Sequence, residues 1–416
     1  MKTAVKYLII IVTICLLPGC GGGNKSNKEP KELPLPVEKP DTLKPVINAY
    51  IENSGSMDGY VKGGTEFKSM VYNYLSDIKI SKITDSLNLY YINSEVISLG
   101  TVSEEMDVLK DFIEKLDPKT FKIKGGNLGT SDIADVIKSV MQKTDDHTIS
   151  LLVTDGIFSP GKGKNAQQYI VNQEIGIKNS FATFLEKEKN AAVIVYQLSS
   201  QFDGIYYDKI DTKIPFIGQR PFYIWVIGKA KHLVALTRAV PESKFNGQGV
   251  QNVFSIMPGN QQVKYAVNPS IGKFKKSKKD PQKTIESLEK DSHTGKVKFA
   301  VNVDFSGLLL DENYLLDTAN YENSSKYALE IKPSSTKNMG YTHVLNFSSD
   351  KVYKGTVSIK LKDKCPDWVE RVNDDDGSTP AKGKTYGIKY QINGVFKAFT
   401  FDDEDKYYTE IKININ

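Results

Sequence analysis

The sequence predicts an α/β protein with a doubly wound, mainly parallel sheet, followed by a C-terminal β-rich, sandwich-like domain. Apolar strand-like runs alternate with amphipathic helix-like runs between residues 46 and 200, which is typical of a parallel sheet covered on both faces. Beyond residue 246, short runs alternate apolar and polar residues, as antiparallel strands do. About 370 residues follow the N-terminal segments, more than one hydrophobic core usually serves, so we expect two or more domains.

The first twenty residues have the pattern of an export signal. Lys2 and Lys6 precede an apolar run over residues 7 to 17, which is too short to span a bilayer. The run ends in Leu17-Pro18-Gly19-Cys20, which resembles the lipobox of bacterial lipoproteins, where the Cys is diacylated and becomes the mature N-terminus. The resemblance implies lipidation at Cys20. The alternative is an ordinary secretory signal in which this Cys is incidental.

Residues 21 to 45 are predicted to form a disordered tether between the lipid anchor and the folded part of the chain. The stretch is rich in Gly, Asn, Lys, Glu and Pro and has few large apolar residues. Cys15 lies in the signal and Cys20 is the predicted lipid site, so Cys365 has no partner for an intrachain disulfide in the mature protein. We therefore expect an exported protein held at a bacterial membrane by lipid, at the outer membrane or cell surface if the cell is Gram-negative.

Residues 46 to 240 are predicted to form the α/β domain, with an extension after about residue 200. Strands are predicted from four apolar runs, Val46–Ile51, Leu87–Ile92, Thr148–Thr154 and Ala191–Gln197. Helices are predicted from apolar residues at helical spacing around residues 67–78, 106–116, 133–141, 167–189 and 230–240. Ligands of such sheets bind at the carboxyl ends of the strands, so these ends are where a site is expected.

Side chains with oxygen atoms follow three of these segments. Glu52, Ser54 and Ser56 alternate along the turn after the first strand, so they point to one side. Thr130 follows a glycine-rich approach to a helix, and Asp155 comes directly after the third strand. Carboxylate and hydroxyl oxygens suit a hard cation, so we predict a site for Mg2+ or Mn2+ at this edge of the sheet.

The order of these segments resembles the von Willebrand factor type A domain and its metal-ion-dependent adhesion site. That family has Asp-x-Ser-x-Ser in a first loop, a Thr after a Gly in a second, and an Asp at the end of a central strand. This chain matches at Ser54 and Ser56, at Gly129-Thr130 and at Asp155-Gly156, and the resemblance covers about residues 46 to 207.

The resemblance implies that an ion bound by Glu52, Ser54, Ser56, Thr130 and Asp155 keeps one position open for an Asp or Glu of a partner protein. Glu52 stands where the family has Asp, and its side chain is one methylene longer. It either contacts the ion directly or displaces a bridging water, which preserves binding with an altered geometry or weakens it, because Mg2+ demands near-ideal octahedral ligation.

No catalytic constellation is visible in the sequence, so we expect binding rather than turnover. The four histidines are scattered without metal-ligand spacing, at His147, His232, His293 and His343. The sequence has no Gly-x-Ser-x-Gly elbow or Walker-type loop, and the two loop serines have no evident base. Three functions stay open: a lipid-anchored protein that binds a partner protein through Mg2+, a scaffold lipoprotein with a degenerate site that binds through its β-rich domain, and a metal-assisted hydrolase.

Residues 246 to 416 are predicted to form the β-rich domain. Strands are expected in the runs 296–303, 353–361 and 386–401, with a short helix at Pro281–Lys290. Asn373–Gly377 is like a calcium loop in composition, but it lacks the spaced acids and closing Glu, so an exposed acidic turn is favoured. The formal charge of +5 is modest. The one lysine cluster, residues 273 to 279, is most simply interpreted as a solvated loop, so no nucleic acid partner is indicated.

Overall fold

A seven-stranded mixed sheet lies at the centre of the computed structural model, which describes residues 43–123, 125–128, 132–158, 160–161, 163–335, 340–401 and 407–416. In chain order, the strands are β1 (Val46–Glu52), β2 (Leu87–Ile92), β3 (Val96–Thr101), β4 (Thr148–Thr154), β5 (Ala191–Tyr207), β6 (Lys213–Lys229), β7 (Asn252–Ile256), β8 (Lys264–Val267), β9 (Lys273–Lys276), β10 (Thr284–Glu289), β11 (Val297–Asp304), β12 (Tyr321–Asn323), β13 (Ala328–Pro333), β14 (His343–Ser349), β15 (Gly355–Lys362), β16 (Asn373–Asp374), β17 (Thr385–Tyr386) and β18 (Tyr407–Ile415). The α-helices are α1 (Asp58–Val61), α2 (Glu66–Ile80), α3 (Asp107–Glu114), α4 (Pro118–Ile123), α5 (Ile133–Met141), α6 (Ala166–Lys187), α7 (Ala230–Ala239), α8 (Glu312–Leu316), α9 (Trp368–Val372) and α10 (Ile388–Phe399).

The central sheet has the strand order β3-β2-β1-β4-β6-β5-β7. β1, β2 and β4 are parallel neighbours, and β5 runs in the same direction. β3, β6 and β7 run the opposite way. The predicted α/β class with a mainly parallel sheet is confirmed, and the four predicted strands are β1, β2, β4 and β5. The insertion of β6 between β4 and β5 makes one half of the sheet antiparallel.

Helices cover both faces of this sheet, because its central strands are apolar on both sides. On one face, Ile51 and Val153 belong to a hydrophobic cluster with the buried side of α2. On the other face, Leu152 and Trp225 belong to a second cluster with the buried sides of α5, α6 and α10. Two layers of helices on a strongly apolar sheet are what the doubly wound prediction requires.

The segment predicted to be the β-rich domain contains two further sheets. One has the order β12-β15-β18-β10-β9 and the other β13-β14-β11-β8, and all their neighbours are antiparallel except β10 and β18. Buried residues of both sheets belong to one hydrophobic cluster, as expected for two packed sheets. The same segment supplies β7 and α10 to the α/β layers.

Two elements predicted in this segment are wrong. The sequence predicts a short helix at Pro281–Lys290, but residues 284–289 form β10, which pairs with β9 and β18. It predicts a strand over residues 386–401, but most of them form α10, whose buried Ile388, Gln391, Ile392 and Val395 follow the helical period. Among the described residues, none of the helices has both the length and the apolar character needed to cross a membrane.

Candidate functional site at the carboxyl edge of the sheet

Glu52 and Asp155 lie at the same edge of the sheet because β1 and β4 are parallel and adjacent. Ile51 pairs with Val153, so Glu52 is level with Thr154, the residue before Asp155. The Thr154 hydroxyl donates a hydrogen bond to Oε2 of Glu52 and accepts one from the Gly156 N–H at 2.9 Å. Glu52 is only 3% exposed, so this edge begins with a buried, hydrogen-bonded carboxylate.

The loop after β1 brings the two predicted serines together. It enters a short 3-10 helix at Gly55, and Ser54 Oγ lies 3.0 Å from Ser56 Oγ. The Gly55 N–H donates to the Leu128 carbonyl at 2.9 Å, which places the chain just before Gly129 against this loop. Asn53, between Glu52 and Ser54, is held by the amide of Asn93 at 2.9 Å. The loop is therefore fixed from two sides.

Asp155 has one carboxylate oxygen without a partner. Its side chain is 1% exposed; Oδ1 accepts a hydrogen bond from the Ile157 N–H at 3.2 Å, whereas Oδ2 is buried with no hydrogen-bond partner. Burial raises the pKa of Asp155, while the Arg220 guanidinium, the Ile157 N–H and the nearby Ser56 hydroxyl act in the lowering direction. An orphaned buried oxygen of this kind is costly unless a proton, a water or a cation satisfies it.

Of the predicted ligands, the structure brings Ser54, Ser56 and Asp155 together, with Glu52 on the adjoining strand. The predicted Thr130 and the predicted lipidation site Cys20 lie outside the described residues. Within the described ranges, no three His, Cys, Asp or Glu side chains are grouped so that they could hold a metal ion. A cation at this edge would therefore depend on the hydroxyls as well as on Asp155, and such an all-oxygen set fits a hard divalent ion.

A long β-hairpin arm covers this edge. β4 pairs with β6 only as far as Thr154 and Tyr223, but β5 and β6 stay paired to Tyr207 and Lys213, so the arm continues roughly 30 Å past the end of β4. We define the arm as residues 198 to 222. It places Arg220 just beyond Asp155, since β6 runs antiparallel to β4.

The arm packs tightly on the loop that follows Glu52. The Phe202 ring contacts Gly59, where an added Cβ would lie 2.5 Å from the ring, and it meets the Tyr60 ring edge-on at 4.9 Å between centroids. Lys62 and Asp203 form an ion pair of 2.7 Å at the side of this contact. The arm is thus held against the segment that follows the serine loop.

Arg220 is the residue that the sequence interpretation missed. Its guanidinium is 3% exposed, lies 4.9 Å from the ring centroids of Phe202 and Tyr206 and 5.9 Å from that of Tyr60, and its Nη1 has no hydrogen-bond partner. A signal was present, because three arginines occur among the 55 basic residues and this one directly precedes the apolar run from Pro221 to Ile227. A charged residue at the start of a buried strand requires an electrostatic reason.

The acidic turn Asn373–Gly377 forms ion pairs with the arm and with α10. Asp376 forms an ion pair of 2.6 Å with Lys209 at the turn between β5 and β6. Asp375 pairs with Lys389 at 2.8 Å. With lysines on these two carboxylates, the turn helps to anchor the tip of the arm.

Comparison with known proteins adds little to this geometry. No protein-family model matches the sequence, and no curated protein matches it. Among solved structures, one similar chain is an aerotolerance-related membrane protein from Bacteroides fragilis NCTC 9343 with multiple mutations to serines. The two chains are 14% identical with a TM-score of 0.21, and the match covers 30% of this chain and 60% of the other, so this chain spans about three fifths of that protein's length. Function is therefore inferred from the site itself.

Proposed function

We propose that this chain is a lipid-anchored protein of the cell envelope that binds a partner protein through a divalent cation at the carboxyl edge of its central sheet. The observation that carries the proposal is the orphaned, buried Oδ2 of Asp155 beside the paired hydroxyls of Ser54 and Ser56. Oxygen atoms arranged in this way are suited to Mg2+ or Mn2+.

In this proposal, Ser54, Ser56 and Asp155 hold the ion, and the sequence adds Thr130 as a further ligand. Glu52 supports the set from the adjoining strand through Thr154. A bound Mg2+ would act as a Lewis acid whose remaining position a carboxylate of the partner can complete. We propose binding rather than turnover, because no general base accompanies the serines in the sequence.

A thermal-shift series tests the metal site directly. Mg2+ or Mn2+ should raise the melting temperature of the full chain, and a chelator should reverse the rise, because a ligand of the native state stabilises it by mass action. Asp155→Asn, and separately the double variant Ser54→Ala with Ser56→Ala, should lose this response. Asp85→Asn is the matched control, since Asp85 is an exposed acid paired with Lys44.

The Asp155→Asn variant also guards against a trivial loss of folding. Asn has nearly the same shape as Asp, so the variant should keep the fold without metal, which circular dichroism checks. A metal-dependent shift that survives in this variant would exclude Asp155 as a ligand and with it the proposed site.

Membrane attachment is tested separately. Cys20→Ser should abolish acylation and move the protein from the membrane fraction to the soluble one, because a lipid chain is then the only proposed anchor. A variant that stays acylated and membrane-bound would refute lipidation at Cys20.

A second candidate function is a scaffold lipoprotein with a degenerate metal site that binds through its β-rich segment. The observation that favours it is the buried Arg220, whose fixed positive charge acts on Asp155 where the first proposal needs a cation. On this candidate, Mg2+ and Mn2+ leave the melting temperature unchanged in every variant, so the same thermal-shift series separates the two functions.

A further inference from the structure

The buried edge of the sheet contains two unsatisfied groups of opposite charge. Oδ2 of Asp155 and Nη1 of Arg220 are both buried, and neither has a hydrogen-bond partner. Each lies in the electrostatic field of the other, since Arg220 acts on the pKa of Asp155, yet they form no ion pair within 4.0 Å. A direct Asp–Arg contact would satisfy both groups, so without it the buried donor and the buried acceptor each still require a partner.

Three aromatic rings hold the guanidinium in this position. Phe202, Tyr206 and Tyr60 surround Arg220, and such rings attract a cation without using its N–H donors. The rings therefore stabilise the charge of Arg220 while they leave Nη1 available to an anion. A guanidinium is the cation best suited to bind a carboxylate through its donors.

The charges of the site indicate that an anion would balance the charge of a bound divalent cation. A cation ligand must be deprotonated, so the charges are summed for the ionised form of both acids, in which Glu52, Asp155 and Arg220 together carry one negative charge. A divalent cation changes the sum to one positive charge, which is costly in a buried site, and one carboxylate then brings the sum to zero. The cation and the anion should therefore stabilise each other at this edge.

We propose that Arg220 couples cation binding to carboxylate binding, so that a divalent ion binds weakly alone and tightly together with a carboxylate that Nη1 contacts. This inference rests on the proposed metal site. It adds a binding residue outside the predicted ligand set, and it explains why the arm places a buried arginine at this edge. It also predicts that the partner group is an anion rather than a neutral amide or hydroxyl.

The test measures Mn2+ binding to the full chain from the EPR signal of free Mn2+, in chloride and in acetate at equal ionic strength. For the wild type, acetate should tighten Mn2+ binding by about 10- to 100-fold, the usual range of coupling between two ligands. Arg220→Met removes the positive charge, so it should bind Mn2+ more tightly than the wild type in chloride and show no acetate effect. Arg220→Lys keeps the charge and should retain the effect.

Arg238→Met is the matched control, because Arg238 is an exposed arginine on α7 whose guanidinium contacts Ser306. It should behave as the wild type does, and it corrects for the weak association of Mn2+ with acetate in solution. Circular dichroism shows whether each variant is folded, and Arg220→Gln, which also removes the charge and should also lose the acetate effect, takes the place of Arg220→Met if that variant does not fold.

The outcomes separate the inference from the proposed function. Mn2+ binding that is equal in chloride and acetate for the wild type and for the Arg220 variants would overturn the coupling and leave the metal site standing. The absence of Mn2+ binding in the wild type and in every variant would overturn the proposed metal site and the coupling together.

Discussion

Glu242 gives the structure a pH dependence that can be measured. It lies just after α7 and lines a groove of about 520 Å3 together with Asp311, Trp368 and Tyr408. Burial raises the pKa of Glu242 to about 7, and the nearby Asp311 carboxylate adds to the rise, whereas the ordinary value is 4.5. Replacement of Glu242 by Gln keeps the shape of the side chain and removes its titration.

The sign and size of the effect follow from linkage. The folded chain binds this proton more tightly than the unfolded chain, so the stabilisation is fully present below pH 4.5 and is lost as the pH rises through 7. At about 1.4 kcal/mol per pKa unit, the full shift corresponds to about 3 kcal/mol. Solvent screening in an open groove reduces this to about 2 kcal/mol.

The assay is urea unfolding of the full chain and of Glu242→Gln, followed by circular dichroism at pH 5 and pH 8. The variant should gain about 1–2 kcal/mol of unfolding free energy over the wild type at pH 8 relative to their difference at pH 5, because pH 5 is above the unfolded value of 4.5 and part of the full effect is already lost there. Glu105→Gln removes an exposed Glu and serves as the control, for which the two differences should be equal. If the difference in unfolding free energy between Glu242→Gln and the wild type is the same at pH 5 and pH 8, the raised pKa of a buried Glu242 is refuted.

Two further changes test the packing at the edge of the sheet by urea unfolding. Gly204→Ala should lower the free energy of unfolding by about 1–3 kcal/mol, because the added Cβ would lie 2.7 Å from the Cα of Gly59 and the arm would have to move away. Gly307→Ala is the control and should change this free energy little, because an added Cβ there would have no atom within 4 Å. Equal effects of the two substitutions would contradict the tight contact. Glu52→Asp should cost about 1 kcal/mol, because the shorter side chain loses the hydrogen bond from Thr154; an unchanged unfolding free energy would show that this bond contributes nothing.

The sequence predicts the first half of the fold well because its signals are local and strong. β1, β4 and α6 lie within a few residues of the predicted segments, since long apolar runs and regular helical spacing leave few alternatives. The two wrong elements have specific physical causes. In β10, Ser287 has a left-handed φ of 53° at a register shift, so the buried Ile285 and Leu288 are three residues apart, which imitates a helix.

The error at α10 has the opposite cause. Tyr, Lys and Gln alternate with apolar residues there, which resembles a strand, but the residues that the fold buries follow the helical period and pack on α6. Gly394 allows this approach, since an added Cβ would lie 2.9 Å from the carbonyl oxygen of Glu174 on α6. This tertiary contact with α6 favours the helical period over the strand-like alternation. A local sequence pattern does not contain that information.

For the site, the sequence predicts which residues share an edge but not what covers it. Glu52 and Asp155 follow two buried strands, and parallel strands end at the same edge, so their proximity follows from topology. Arg220 reaches this edge because β6, which follows β5 in the chain, inserts between β4 and β5. Strand order is a long-range property, so no spacing in the sequence places the arm over the loop.

The same contacts explain why a Glu rather than a shorter Asp stands at position 52. Adjacent strands lie roughly 4.8 Å apart, and the longer side chain of Glu52 spans this distance to reach the hydroxyl of Thr154 on β4. That hydroxyl accepts the Gly156 N–H at 2.9 Å, so Glu52 helps to fix the turn from which Asp155 projects. An Asp at this position would fall one methylene short of the neighbouring strand. The length of the Glu side chain is therefore accounted for by a hydrogen bond that helps to position Asp155.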